Sequence, residues 1–310
     1  MKNDSGLNRE QQRALRSLCG SDVAFDITMA RFCTLRAGGP AAALAGPQDL
    51  QQLSALLAYC RQERLPWRCI GRGSNILVQD EGFAGILIRL RGKLATIRRE
   101  ASPGIVIAGG GCLLAELLAH CRDAGLSGLE FLVGIPGSVG GSVRMNAGAF
   151  GHCLTESLQR LTVVTGDGSV HILRQGEWTG DYRSFTVDGL DMEKTVIAQA
   201  EFLLAPSTSG RIEETTKEYL QQRRAKQPSS MPSAGSFFKN PVGDFAGRLI
   251  EEAGLKGERV GGAMVSPEHA NFIVNAGGAT ATDIVRLMRL VQEKVRETTG
   301  ISLEPEVHII

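Results

Sequence analysis

The chain has almost no net charge. Its 310 residues carry 34 Lys and Arg against 33 Asp and Glu, a balance of +1. Nucleic acid or an anionic membrane needs a broad basic face, so neither partner is expected, although a local basic pocket for a phosphorylated ligand remains compatible. The seven cysteines (Cys19, Cys33, Cys60, Cys69, Cys112, Cys121 and Cys153) are odd in number and contain no Cys-x-x-Cys pair, and the five histidines stand at no metal-ligand spacing with them. No zinc site is expected, and most of these thiols read as small buried hydrophobes of a reducing compartment. Long apolar runs are missing too. The longest, Ile105–Ala119, is broken by three successive glycines and by Glu116, and cannot cross a bilayer as a helix. The polar start (Lys2, Asn3, Asp4, Arg9, Glu10) lacks the apolar centre of a signal peptide, which points to the cytoplasm. Gly-x-Gly-x-x-Gly after a strand and Gly-x-x-x-x-Gly-Lys-Ser/Thr are both absent, so a phosphate site of the Rossmann or P-loop kind is not expected. There is no internal repeat, no low-complexity tract and no sign of an obligate protein partner.

What is present is an ordinary globular composition, 43% hydrophobic and 22% charged, in a chain long enough for two or three domains. One stretch organises it. Gly134–Gly151 holds six glycines (Gly134, Gly137, Gly140, Gly141, Gly148, Gly151) between apolar flanks such as Phe131, Leu132, Val139 and Val143. A tight irregular connection would explain some of them. A buried segment must also satisfy its main-chain polar groups, and backbone N–H groups turned towards a diphosphate would do so. A second cradle, Gly71-Arg72-Gly73-Ser74-Asn75, follows a short strand, and two such turns suit a dinucleotide. The candidate cofactor-binding residues of the larger one are Gly134, Ile135, Pro136, Gly137, Ser138, Gly140 and Gly141.

Helical periodicity marks Gln48–Arg64, Leu113–Ala124, Arg211–Lys226, Phe245–Ala253 and Ala281–Thr298, with a short amphipathic helix around Leu7–Leu18. Strands are expected at Ala42–Ala45, Trp67–Ile70, Gly85–Leu90, Leu94–Arg99, Ile105–Ala108, Val196–Leu204, Asn271–Val274 and Glu304–Ile310, and Leu158–Thr165 with Val170–Arg174 reads as a hairpin turning at Gly166-Asp167-Gly168. Pro206–Gly210 is the best linker candidate. Consecutive strands mixed with helices favour an α+β fold over a doubly wound sheet.

Three polar residues stand out beyond the cradles. Ser236 lies in Ala234-Gly-Ser-Phe-Phe-Lys-Asn-Pro241; it reads as a cap or turn, or as a hydroxyl held against an apolar wall with Lys239 and Asn240 nearby. Arg183, in Asp181-Tyr-Arg-Ser-Phe185, is a surface cation or a bidentate carboxylate ligand. Glu304, Glu306 and His308 share one strand face by period two, and spacing alone makes Glu306 an exposed strand charge.

Gly71–Leu77, Gly134–Gly151, Ser233–Pro241, Ala246–Gly257, Ser266–Asn275 and Leu303–Val307, in that order along nearly the whole chain, resemble the UDP-N-acetylenolpyruvoylglucosamine reductases. The short connection after Arg183 resembles the family's second subtype, which lacks a substrate-covering loop. The resemblance implies an FAD-binding fold of the vanillyl-alcohol-oxidase type in two subdomains (1–92 and 93–205) and an α+β substrate-binding domain (206–310) whose final strand returns to the active site. It implies non-covalent FAD, NADPH as co-substrate, and hydride transfer from flavin N5 to the enolpyruvyl alkene of UDP-N-acetylglucosamine enolpyruvate, giving UDP-N-acetylmuramate for peptidoglycan synthesis. By position Ser236 resembles the proton donor, Glu306 the catalytic glutamate, and Arg183 the arginine that holds the substrate carboxylate; Lys239, Asn240 and Asn271 would lie near substrate. Three departures stand here: Ser184 follows Arg183 directly, Asp181 replaces a common glycine, and His308 occupies a position where the family commonly has Arg. The rivals are an oxidase of the same fold, with flavin tethered at His152 or Cys153, and a non-catalytic nucleotide-sugar-binding protein.

Overall fold

The computed structural model describes residues 6–99, 102–228 and 231–310. Lys2, Asn3 and Asp4 of the polar start, and two residues of the loop at 227–235, lie outside it. The first two helices begin where the sequence supplies an oxygen for their free N–H groups. In α1 (Arg9–Cys19), Asn8 and Gln11 cap each other reciprocally; in α2 (Leu50–Gln62), Asp49 accepts from Gln52 N at 2.9 Å. Leu15, Cys19, Leu53, Leu56, Leu57 and Cys60 face one core, shared with Ile86 and Ile88. These last belong to a four-stranded sheet ordered Val23–Thr28, Pro40–Ala45, Phe83–Ile88, Trp67–Cys69, whose final pair runs parallel.

A five-stranded antiparallel sheet follows, ordered Val170–Arg174, Leu158–Thr165, Thr195–Leu203, Ile105–Gly109, Ile97–Arg99. The predicted hairpin is there in register, Val164 opposite Val170. Helix α3 (Leu114–Asp123) and the six-residue α4 (Val139–Arg144) pack Leu117, Cys121, Val139 and Val143 with Val106, Leu161, Val163 and Phe202. Of the expected strand Leu94–Arg99, the first part is a 3₁₀ turn (Gly92–Ala95) and only Ile97–Arg99 is extended. The linker expected at Pro206–Gly210 is not an open one. Ala205–Pro206 pairs with Leu126–Ser127, and α5 (Ser209–Lys226) starts at once. Its Pro and Ser mark a strand end and a helix start rather than a boundary.

The chain gathers into two compact units. One takes the residues up to Phe25 with Ala42–Gly71 and Ala84–Gln221; the other takes Asp26–Ala41, Arg72–Phe83 and Gln222–Ile310. The second unit therefore recruits two early segments that the sequence boundaries of 92 and 205 assign elsewhere. The reason is pairing at a distance. His308–Ile309 lies parallel to Ile76–Leu77, and Asn275 Nδ2 donates to Leu35 O at 3.0 Å. Its core joins Leu35 and Leu77 to Phe237, Phe238, Leu249, Ile284, Leu287, Val291 and Val307. Helix α6 (Ala246–Glu252) and the long α7 (Ala281–Thr299) cover it, with the antiparallel strands Arg259–Val260, Ala263–Val265 and Ile273–Asn275. Helix α7 is capped reciprocally by Thr280 and Asp283, and Asp80 adds bonds from Ala281 N (2.9 Å) and Thr282 N (2.8 Å). Among the described residues no helix is long and apolar enough to cross a membrane. Cys19, Cys33, Cys60, Cys112 and Cys121 are buried, as expected, while Cys69 is exposed and Cys153 half-buried; all seven are free thiols.

Candidate active site

The glycine segment is less uniformly buried than its apolar flanks suggest. Ser138, Val139, Ser142 and Val143 are buried, whereas Gly134, Pro136 and Gly141 are exposed. Two kinds of glycine are present. A Cβ on Gly140 would sit 2.9 Å from Ile197 O and 3.1 Å from Gly110 O, so this glycine lets α4 press against the five-stranded sheet. Gly141 is different: a Cβ there would meet only Ser138 Oγ, at an ordinary 3.5 Å. Protein packing does not demand glycine at 141, and a ligand passing close to the backbone would. Gly71 adjoins the same place, its Cβ position lying 2.3 Å from Ser138 Oγ.

Donors are the second mark of a cofactor site. Among the described residues no protein acceptor meets the main-chain N–H groups of Gly137 and Ser138, or those of Gly71, Arg72, Gly73, Ser74 and Asn75. Ser138 is buried, so its N–H faces a cost unless an acceptor arrives. Consecutive unengaged N–H groups in a glycine-containing turn form an anion-binding concavity. Each of the two turns, taken by itself, fits a phosphate group of a cofactor. Gly73 itself is fixed by the fold, with φ +71° and a Cβ position 2.1 Å from Phe32 O. Gly73→Ala is thus expected to lower stability by about 2–4 kcal/mol, while Gly141→Ala, inside α4, changes it by less than about 1 kcal/mol and in the favourable direction. Urea unfolding midpoints check this pair, and the opposite ranking would contradict it.

In the second unit the sequence candidates converge. Ser236 follows Gly235 (φ +79°) and is half-buried; beside it Phe237 and Phe238 are buried, their rings edge to face at 5.7 Å. This short extended run is held from both sides. Phe237 N donates to Asn271 O (2.8 Å), and Asn271 clasps Phe238 with both ends of its amide, Oδ1 accepting from Phe238 N at 2.9 Å and Nδ2 donating to Phe238 O at 2.8 Å. On the other side Glu306 N donates to Phe237 O at 2.8 Å and Lys239 N to Glu304 O at 2.8 Å. Phe238 therefore stands opposite Pro305 as an isolated bridge, and Lys239 pairs with Glu304. Asn240 Oδ1 accepts from Ala246 N at 3.0 Å and so caps α6.

Glu306 is not the exposed charge that strand periodicity suggests. Its carboxylate is half-buried with Oε2 out of solvent, while Glu304 and His308 are exposed. Regular pairing is confined to His308–Ile309, because Pro305 has no N–H for a ladder. Asn75 completes the arrangement: its Nδ2 donates to Glu306 O at 3.0 Å, and its carbonyl accepts from His308 N at 3.1 Å. Read from sequence as a cradle donor, the Asn75 side chain holds the main chain of Glu306.

His269, which the sequence reading did not single out, braces Asn271. Its Nδ1 accepts from Asn271 N at 3.1 Å, which requires the neutral ring protonated on Nε2. Burial, then Lys256, lowers its pKa from the ordinary 6.5. The folded state thus disfavours the charged ring, so the stability it contributes is complete above about pH 6.5 and falls as pH drops from there through the lowered pKa. Thermal melts across pH 8 to 5 are expected to show parent and His269→Gln converging on acidification; a constant gap would contradict this.

Arg183 belongs to the other unit. Strands Thr179–Asp181 and Ser184–Thr186 form a hairpin with Tyr182 and Arg183 at its tip, and Arg183 takes φ +54°, uncommon for a side chain with Cβ. Its guanidinium carbon lies 5.1 Å from the centre of the exposed Tyr182 ring, and Phe185 anchors the hairpin in the core. Among the described residues no His/Cys/Asp/Glu group is arranged to hold a metal ion.

Comparison with known proteins places these features in context. Residues 227–310 match the family described as UDP-N-acetylenolpyruvoylglucosamine reductase, C-terminal domain, and residues 41–174 match an FAD binding domain. UDP-N-acetylenolpyruvoylglucosamine reductase 2 of Symbiobacterium thermophilum is 45% identical over 279 residues, 90% of this chain and 89% of its own length. The reductase of Pelobacter propionicus is 42% identical over 286 residues, 92% and 94% of the two chains. The crystal structure of the Thermus caldophilus enzyme (MurB) superposes with a TM-score of 0.79 at 37% identity, over 91% of this chain and 97% of that one.

Proposed function

The chain belongs to the UDP-N-acetylenolpyruvoylglucosamine reductase family and is a flavin-dependent oxidoreductase, and from that premise we propose that it reduces UDP-N-acetylglucosamine enolpyruvate to UDP-N-acetylmuramate in the cytoplasm, with NADPH as electron donor and FAD bound non-covalently. The observation that carries this is the pairing of the Ser236–Lys239 run with Glu304–Glu306, steadied by Asn271 and Asn75. It sets the family's two acid–base positions on adjoining stretches of main chain.

FAD, when bound, supplies the hydride that reduces the alkene. The unengaged N–H groups of Gly71–Asn75, and those of Gly137 and Ser138, would hold its phosphates. Arg183 takes the substrate carboxylate, into which the negative charge spreads as the alkene is reduced, and stabilises it there. The Ser236 hydroxyl, a weak acid, gives its proton only to so basic a carbon. Glu306 is the acid–base partner that restores that proton. Lys239 and Asn240 line the approach of the substrate, and Asn271 keeps Ser236 in register. Two assays test the proposal. NADPH consumption should depend on the enolpyruvyl sugar nucleotide, and acid precipitation should leave the flavin in the supernatant. Flavin retained in the pellet would favour the tethered oxidase with His152 or Cys153.

A further inference from the structure

Asn146 lies within the glycine segment, two residues past the end of α4. It is 3% exposed and takes φ +38°. Its amide is fully directed. Oδ1 accepts from Thr155 N at 3.2 Å and from Thr155 Oγ1 at 3.1 Å, and Nδ2 donates to Asp181 O at 3.0 Å. The orientation is fixed by chemistry, because Thr155 N–H can only donate and Asp181 C=O can only accept. Asp181 is the last residue of the first strand of the Arg183 hairpin, one residue before its Tyr182-Arg183 tip. The hairpin is seated on the same threonine a second time. A Cβ at Gly180 would come 2.6 Å from Thr155 Cγ2 and 2.7 Å from Thr155 Oγ1. Glycine at 180 is what lets the strand approach.

We infer that Asn146 is the positioning residue for Arg183: it ties the glycine segment, through Thr155 and Asp181, to the hairpin that presents the guanidinium. This rests on the carboxylate-binding role proposed for Arg183. The physical need is plain. A two-residue tip with a non-glycine residue at positive φ is strained, and such a conformation persists only where the surroundings over-determine it. A bidentate hold on a carboxylate also tolerates little misplacement. The Asn146 and Gly180 contacts supply the constraint, and they do so from the segment that carries the cofactor donors. Asparagine suits the position because it accepts a left-handed conformation more readily than most residues.

The test separates the tie from general stability. Asn146→Gly keeps the backbone conformation accessible and removes only the side-chain bonds. The flavin-loaded protein is reduced with NADPH and then reoxidised anaerobically by the enolpyruvyl substrate, for the parent, Asn146→Gly, Arg183→Ala and the double variant. Asn146→Gly is expected to slow reoxidation roughly 10- to 100-fold, within the 10²-fold that an ångström of misplacement costs, with flavin content and the NADPH half-reaction within about twofold. In the Arg183→Ala background it is expected to add less than about twofold, as residues acting through one another are not additive. Gly180→Ala, which displaces the hairpin from Thr155 without touching Asn146, should give the same pattern and serves if Asn146→Gly does not fold. Equal slowing of both half-reactions, or full multiplication of the two effects, overturns the inference. A crippled Arg183→Ala beside an unaffected Asn146→Gly overturns it alone; an unaffected Arg183→Ala overturns the role of Arg183 and the inference with it.

Discussion

Glu306→Gln is expected to lower turnover by about 10²–10⁴-fold, the range of a lost acid–base group, whereas Glu304→Gln stays within about threefold of the parent because an exposed ion pair contributes only about 0–1 kcal/mol. The two carboxylates are two residues apart and chemically alike, so the difference must come from their surroundings. Glu304 is exposed and salt-bridged to Lys239. Glu306 has Oε2 out of solvent, its N–H on Phe237 O and its carbonyl on Asn75 Nδ2. Its main chain is held on both sides, which is what an acid–base group needs in order to meet one atom of a substrate. Steady-state rates at saturating substrate check the pair. Comparable losses would mean that the Glu304–Glu306 register has been assigned to the wrong carboxylate.

Ser236→Ala is expected to leave flavin reduction by NADPH within about twofold while slowing reoxidation by the enolpyruvyl substrate about 10²–10⁴-fold. The asymmetry follows from where the hydroxyl acts. Proton donation belongs only to the half-reaction that saturates the alkene, and loss of one oxygen leaves the cradles at Gly71–Asn75 and Gly134–Gly141 intact. The run carrying Ser236 is held by main-chain bonds to Asn271 and Glu306 rather than by the Ser236 side chain, so the variant should keep its fold. Stopped-flow traces of the two halves decide it. Equal slowing in both would remove Ser236 from the proton-donor role.

Elements with strong periodicity were legible in the sequence. Helix α7 places Ile284, Leu287, Met288, Val291 and Val295 inside and ends at Gly300 with φ +76°, as a 3.6-residue stripe and a C-terminal glycine require. The Leu158–Arg174 hairpin was equally plain. Helix α4 was not. Val139-Gly-Gly-Ser-Val-Arg144 has poor helix propensity, and forms because Val139 and Val143 are buried while Gly140 N donates to Gly110 O at 2.8 Å. Long-range pairing was hidden for a different reason. Period two marks an extended segment but not its partner, so nothing local showed that His308–Ile309 would lie beside Ile76–Leu77 or that Asn75 would hold Glu306. The same limit hid His269 and Asn146. Both act through hydrogen bonds to main-chain groups, and such bonds leave no periodic trace. Ser236, Arg183 and Glu306 were reached through the family resemblance; residue types alone left each of them a plausible turn, surface or strand residue.

The central claim is that this chain passes electrons from NADPH to an enolpyruvyl sugar nucleotide, and the most direct measurement is anaerobic. NADPH is added to the purified protein until the visible flavin band bleaches, and UDP-N-acetylglucosamine enolpyruvate is then added without oxygen. The account predicts that the band returns in proportion to the substrate added, with UDP-N-acetylmuramate formed in equal amount. A band that bleaches but returns only on admission of air would contradict it, leaving a flavoenzyme for some other acceptor and removing the assigned roles of Ser236, Glu306 and Arg183.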